Sequence, residues 1–199
     1  CSSDLLKKIQ KQGLTLEKMW DKTEENISIP ATDMEHYAEH PDVIFVCVKG
    51  YSLQETIPFI KRIARKNTIV IPVLNIYGTG GKMQKELPDF LVTDGCIYVS
   101  ANIKEPGKLL QHGQILHIVF GVRDKAEFRP ELKEIQKDLC DSHIDGTLSE
   151  NIRREALEKF SYVSPIGAAG LYYHATAADF QKEGEARELF KTMIKEIAA

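Results

Sequence analysis

The chain has 199 residues, 43% of them hydrophobic and 28% charged, with a formal net charge of -3, a balance that allows a substantial core and argues against a nucleic-acid partner. No apolar stretch approaches the ~20 residues of a membrane-spanning helix and no secretory h-region is present, so no membrane partner is expected either. Cys1, Cys47, Cys96 and Cys140 fall in no Cys-x-x-Cys or Cys/His spacing, which predicts buried free thiols of a reducing compartment and no metal site. Cys1 as first residue also matches the start of a lipidated mature lipoprotein; a start cut from a longer chain is the preferred reading.

In chain order, DLLKKIQKQ (4–12) predicts a short helix closed by Gly13, and LTLE a strand after it. Charge runs such as KKIQK read as solvated helix faces. ISIPATDMEHYAEHPD (27–42) reads as a strand, a connection and a short helix ending at Pro41. His36 and His40 would share a face of that helix as metal ligands do, but with no third ligand nearby they are taken as surface histidines.

The unbroken apolar run Val43 to Val48 predicts a parallel strand buried on both faces, ending at Lys49 and Gly50. SLQETIPFIKRIARK then has a helical pattern, with Ser52 as N-cap, Glu55 three residues on, and Ile57, Ile60, Ile63 and Ala64 on one stripe. NTIVIPVLN (67–75) predicts the next inner strand, apolar from Ile69 to Leu74 and stopping at Asn75. A strand, helix, strand unit with right-handed crossover brings Lys49 and Asn75 to the carboxyl edge of the sheet, where open α/β sheets hold ligands. Read blandly, Lys49 only solvates that edge and Asn75 only caps a turn.

IYGTGGKMQKELPDF predicts a loop and a helix, and its GTGGK (78–82) lacks the spacing of a dinucleotide-binding glycine turn. FLVTDGCIYVSANI continues as strands, and KEPGKLLQHGQILHIVFG as a hairpin turned by Pro106 and Gly107, with His112 and His117 structural or exposed. RPELKEIQKDLCDSH (129–143) is an amphipathic helix with Leu132, Ile135 and Leu139 inward. From Ser149, a plausible cap, the pattern stays helical to the end. Ile152, Ala156, Leu157, Phe160 and Val163 form the expected buried stripe with Lys159 beside it, and Ala168, Ala169 and Gly170 allow a close helix contact.

A strand ending Val48-Lys49, the next ending at Asn75, then YVSANIKEPGKLLQHGQ and REALEKFSYVSPIGAAG resemble, in order and spacing, the ketopantoate reductase (2-dehydropantoate 2-reductase) family over nearly the whole chain. The resemblance implies an α/β fold: a Rossmann-like, mostly parallel but incomplete sheet over residues 1–148, then the start of an all-helical C-terminal domain over 149–199. It implies a cytoplasmic enzyme of pantothenate and coenzyme A biosynthesis that uses NADPH to reduce ketopantoate, a small 2-oxo acid, to pantoate, with a homodimer as an admissible assembly. Lys159 is the implied proton donor and Asn75 its partner in orienting substrate or nicotinamide; Lys49, Asn75 and Ala101 are the implied cofactor contacts.

The chain departs from the family pattern at several points. The Gly-x-Gly-x-x-Gly turn expected before the first helix and the terminal helices expected after KTMIKEIAA are not in this sequence, nor is an arginine for the 2′-phosphate of NADP near Cys1 to Ser3. Leu157 stands for the family's tryptophan, Ile76 for a glycine after Asn75, and Val163 and Gly167 for asparagines four and eight residues beyond the lysine. Two further readings therefore stay open: a reductase of another 2-oxo acid, and a nucleotide-binding paralogue without turnover, in which Lys159 is a solvated helix lysine.

Overall fold

The computed structural model describes residues 3–198. In chain order they form α1 (Ser3–Gln12), β1 (Leu14–Lys18), β2 (Thr23–Ile27), β3 (Val43–Val46), α2 (Leu53–Ile63), β4 (Ile69–Pro72), α3 (Thr79–Glu86) and β5 (Leu91–Val92). There follow β6 (Asp94–Glu105), β7 (Lys108–Gly121), α4 (Glu131–Asp141), β8 (Asp145–Leu148), α5 (Ile152–Tyr173) and α6 (Glu185–Ala198).

The apolar run at β4 is central because both of its faces find a partner. Ile69, Ile71 and Val73 pack with Phe120 of β7 and with Leu132, Ile135 and Leu139 of α4. Val70 and Leu74 pack on the other side with Ile57 and Ile60 of α2 and Met83 of α3. β4 lies between β3 and β5, parallel to each, with Val43 opposite Ile69 and Val46 opposite Pro72. The predicted unit of strand, helix and parallel strand is present. Its first strand is shorter and less buried than expected, ending at Val46, with Phe45 37% exposed. Among the described residues β3 has one strand neighbour, so one edge of it lacks the cover that β4 enjoys.

The remaining strands form a second, mixed sheet in the order β2-β1-β7-β6, with β8 beside β7. β1 and β8 run parallel to β7, while β6 and β7 are the antiparallel arms of the predicted hairpin. Its turn is Pro106-Gly107 between the paired Glu105 and Lys108, and Gly107 adopts φ +81; proline followed by a residue of positive φ is the pattern of a type II turn. The two sheets touch where β6 begins, since a Cβ on Gly95 would lie 2.8 Å from the Pro72 carbonyl oxygen at the end of β4.

Several expectations need correction. The strand near residue 27 comes earlier, as TEENI, whose residues are all exposed and show no hydrophobic alternation. The short helix before Pro41 is only a turn around residues 34–36, so the shared-face argument for His36 and His40 lapses. His36 Nδ1 lies 2.7 Å from Asp33 Oδ1 and His40 Nδ1 lies 2.8 Å from the Ile63 carbonyl oxygen. Ser52 stands at the N-cap of α2 without a side-chain capping bond. β8, a four-residue strand containing Asp145 and Gly146, was not foreseen.

The cap of α5 is Asn151, whose Oδ1 accepts from the Arg154 N–H; Ser149 supports it, accepting from the Asn151 N–H and donating to Glu155 Oε1 at 2.5 Å. Of the described cysteines, all free, only Cys96 is buried; Cys47 follows the end of β3, and Cys140, near the end of α4, is exposed with its Sγ 3.7 Å from the Gly146 carbonyl oxygen. Cys1 lies outside the described residues. No described helix is long and apolar enough to cross a membrane.

Candidate active site

The site begins with the way α5 is pinned to the second sheet. Ile152, 1% exposed, packs with Cys96 of β6 and Val119 of β7. The helix start can approach β7 because residue 121 is glycine: a Cβ there would lie 2.6 Å from the Ser149 carbonyl oxygen. A residue two turns along a helix returns to nearly the same face, so fixing Ile152 against the sheet delivers Lys159 to it as well. Lys159 is 8% exposed, more buried than Leu157 or Phe160 of the expected stripe. The lysine is in the stripe, not beside it.

Its ammonium meets Asn75, the polar residue just past β4. Lys159 Nζ donates to Asn75 Oδ1 at 2.8 Å and also to the Ile97 carbonyl oxygen, and it lies 5.0 Å from the centre of the Tyr98 ring. That ring is backed by His117, stacked at 5.5 Å, whose Nε2 lies 3.1 Å from Thr147 Oγ1. The two nearest carboxylates on α5 are engaged elsewhere: Glu155 accepts from Ser149, and Glu158 accepts from Arg154 Nε at 2.8 Å. Among the described residues no carboxylate pairs with Lys159. Burial therefore pushes its amine below the ordinary lysine range, the nearby Cys96 working weakly the other way, because a desolvated cation is disfavoured against the neutral amine. Cys96 is itself pushed up by burial, opposed by Lys159, and stays a thiol.

Beside this ammonium a cleft of about 410 Å³ opens between β6 and α5, with Asn75, Tyr98, Ser100, Ile115, Lys159 and Val163 in its walls. A hydrogen-bond donor of lowered pKa at the edge of such a cleft is suited to polarise a carbonyl oxygen and give it a proton.

The sequence-derived site residues divide in two. Asn75 and Lys159, 84 residues apart in the chain, are in direct contact. Lys49 is exposed at the same carboxyl edge, three residues past Val46 as Asn75 is three past Pro72; Ile76 folds over Gly50, where any Cβ would overlap its Cδ1. Ala101 is exposed on β6 opposite Gln111, beyond the irregularity that follows Val99. Neither Lys49 nor Ala101 is among the residues lining the cleft. Sequence reasoning did not single out Tyr98 or Ser100, although both lie in the segment YVSANI; the bulge after Val99 breaks the alternation that would have assigned their faces. Among the described residues no group of three or more His, Cys, Asp or Glu side chains is placed to hold a metal ion.

A family model described as ketopantoate reductase PanE/ApbA matches residues 2–125. A curated 2-dehydropantoate 2-reductase from Aquifex aeolicus (strain VF5) is 20% identical over 166 residues, covering 83% of this chain and 54% of that protein. The chain thus spans about half the length of this curated relative. Among solved structures, the ternary complex of D-mandelate dehydrogenase with NADH and anilino(oxo)acetate superposes with a TM-score of 0.85 at 18% identity, over 98% of this chain and 62% of that one. The 2-dehydropantoate 2-reductase of Porphyromonas gingivalis W83 gives a TM-score of 0.83 at 21% identity, over 100% and 68%. A PanE/ApbA family ketopantoate reductase from Ralstonia eutropha JMP134 gives 0.82 at 16%, over 98% and 62%. At these identities the structural likeness is one of fold, a Rossmann-like α/β body followed by helices.

Proposed function

The chain belongs to the ketopantoate reductase PanE/ApbA family, and from that premise we propose that it reduces a 2-oxo acid to the 2-hydroxy acid with hydride from a reduced nicotinamide dinucleotide. The observation that carries the reading is the bond from Lys159 Nζ to Asn75 Oδ1 at 2.8 Å, which sets a buried, unpaired ammonium at the carboxyl edge of the parallel strands. Ketopantoate with NADPH is the reference pair, and a cytoplasmic enzyme of pantothenate biosynthesis, without nucleic-acid or membrane partners and assembling as a homodimer, belongs to the same reading. NADH, bound in the D-mandelate dehydrogenase complex, is the second cofactor to test.

The residues present suit the nicotinamide half of such a cofactor. Lys49 offers a cation and Asn75 an amide at adjacent strand ends, and the cleft beyond Asn75 opens toward Lys159. By contrast, Gly80 in the first turn of α3 serves packing, since a Cβ there would overlap the Thr93 carbonyl oxygen. When bound, the cofactor supplies the hydride.

The chain's own residues supply the rest. Asn75 Oδ1 and the Ile97 carbonyl oxygen fix the direction of the Lys159 ammonium without neutralising it. The ammonium donates a hydrogen bond to the substrate's carbonyl oxygen, strengthening as negative charge gathers there. As hydride reaches the carbonyl carbon, the oxygen takes a proton from Lys159, and the neutral amine is later reprotonated from water. A pKa below the ordinary lysine value makes that proton easier to release. The test is oxidation of NADPH or NADH by the full-length protein in the presence of ketopantoate and a panel of other 2-oxo acids. Acid-dependent oxidation with at least one of them is expected; none with either cofactor would move the reading to a nucleotide-binding protein without turnover.

A further inference from the structure

As an ammonium, Lys159 carries three N–H donors. Asn75 Oδ1 and the Ile97 carbonyl oxygen take two of them, and both acceptors are neutral. Neither carboxylate of this part of α5 supplies a balancing charge, since Glu155 is bonded to Ser149 and Glu158 to Arg154. What the ammonium does meet is the Tyr98 ring, whose centre lies 5.0 Å from Nζ, within the ~6 Å over which an aromatic face attracts a cation. The ring is braced from behind its strand. Tyr98 and His117 are direct partners across β6 and β7, their rings stack at 5.5 Å with 22° between planes, and His117 Nε2 lies 3.1 Å from Thr147 Oγ1 of β8. Burial pushes the Tyr98 phenol up, so the ring stays neutral while the lysine titrates and offers its quadrupole, not a charge.

We propose that Tyr98 is a positioning residue of this site: its ring face stands where a counter-ion would, favouring the charged amine without accepting the N–H that the substrate needs. The inference deepens the reductase reading above and rests on it. A carboxylate beside Lys159 would hold the proton more firmly, but it would compete with the substrate's carbonyl oxygen for the third N–H. With neither a carboxylate nor a ring, desolvation alone would favour the neutral amine, which is no general acid. The ring offsets part of that penalty, because a cation over an aromatic face gains more where both are desolvated. The other titratable groups near the ammonium do not replace it. Cys96 of β6 stays a thiol, Tyr77 beyond β4 packs on Phe160, and Tyr162 of α5 meets Phe190. Asp145 of β8 lies 3.8 Å from His117 Nδ1, so its charge reaches the site only through the imidazole that braces the ring.

The test compares Tyr98→Phe, which keeps a ring, with Tyr98→Leu, which removes it, in the full-length protein. Two measurements are read. One is the titration of the Lys159 amine by NMR, its resonance assigned by its loss in Lys159→Met; the other is the alkaline limb of kcat/KM against pH with the best 2-oxo acid. Losing the ring disfavours the ammonium, so in Tyr98→Leu both are expected to move down by about 0.5–1.5 pH units. Tyr98→Phe is expected to stay within about 0.3 pH units of the wild type. Unchanged values in Tyr98→Leu overturn the inference. So does a Tyr98→Phe protein that moves as far as Tyr98→Leu, because the hydroxyl and not the ring would then be at work. Should Tyr98→Leu not fold, Tyr98→Val replaces it; failure of both makes the ring a structural support and overturns the inference as well. Turnover of no 2-oxo acid by the wild type overturns the reductase reading and with it the catalytic use of the ring, while a shift seen by NMR leaves its hold on the charge standing.

Discussion

A lysine amine buried without a carboxylate is costly, and the cost is informative because nothing in the packing requires it. Replacing Lys159 by alanine in the full-length protein should lower turnover by roughly 10²- to 10⁴-fold, the usual scale for a general acid, while NADPH affinity stays nearly unchanged; near-normal turnover would reduce Lys159 to a structural donor. The same burial predicts a pH signature in stability. The folded-state pKa of Lys159 lies below its unfolded value of about 10.4, so between the two the unfolded chain binds more protons and stability rises with pH. Lys159→Met has no such group. The urea midpoint of the wild type should therefore gain on that of the variant as pH rises toward about 10, and a constant difference would show that the amine is not desolvated. The spacing of Lys159, two turns from Ile152, was legible in the sequence. Its burial was not, because pattern reading assigns an inward stripe to apolar residues, and the acceptors that make this burial tolerable, Asn75 and the Ile97 carbonyl, are 84 and 62 residues away.

The elements most easily foreseen are those whose burial matches a period: α2 with Ile57, Ile60 and Ile63, α4 with Leu132, Ile135 and Leu139, and β4 with its unbroken apolar run. Those missed, β2 and β8, are short strands held by backbone pairing to a neighbour, and TEENI and DGTL carry no apolar alternation to announce it. Backbone approach also explains a glycine that the phosphate-binding reading had rejected. In α3, a Cβ on Gly80 would overlap the Thr93 carbonyl oxygen and Asp94 Oδ1, whereas one on Gly81 would find its nearest atom, Arg123 Cδ, at 3.9 Å. Gly80→Ala should therefore destabilise by roughly 1–3 kcal/mol as α3 is pushed off the sheet, and Gly81→Ala should be neutral or stabilising by up to about 1 kcal/mol through helix propensity. Thermal midpoints of the two variants test this directly. Equal midpoints would mean that α3 shifts freely, and that the close approach does not hold it.

At the scale of the molecule the sequence suggested one mostly parallel sheet, and the structure has a parallel three-stranded sheet and a mixed one, because the long hairpin of β6 and β7 starts at the end of β5 and carries the chain away. That division matters to the site. Asn75 follows the parallel sheet, Ile97 and Tyr98 lie in the mixed sheet, and Lys159 on the helix packed over it, so the cleft is assembled from three parts that meet at this ammonium. A ligand bridging them stabilises all three at once. Ligand at about 100 times its Kd contributes about 2.7 kcal/mol, and a chain of this size gains roughly 2–4 °C in Tm per kcal/mol, so saturation with cofactor plus oxamate, an unreactive 2-oxo acid analogue, should raise Tm by roughly 5–10 °C. The carbonyl oxygen of oxamate would be held by the Lys159 ammonium, so in Lys159→Ala most of the increment from oxamate should vanish while the increment from cofactor alone persists. An oxamate increment that survives the substitution would place the acid away from Lys159, at some other part of the molecule.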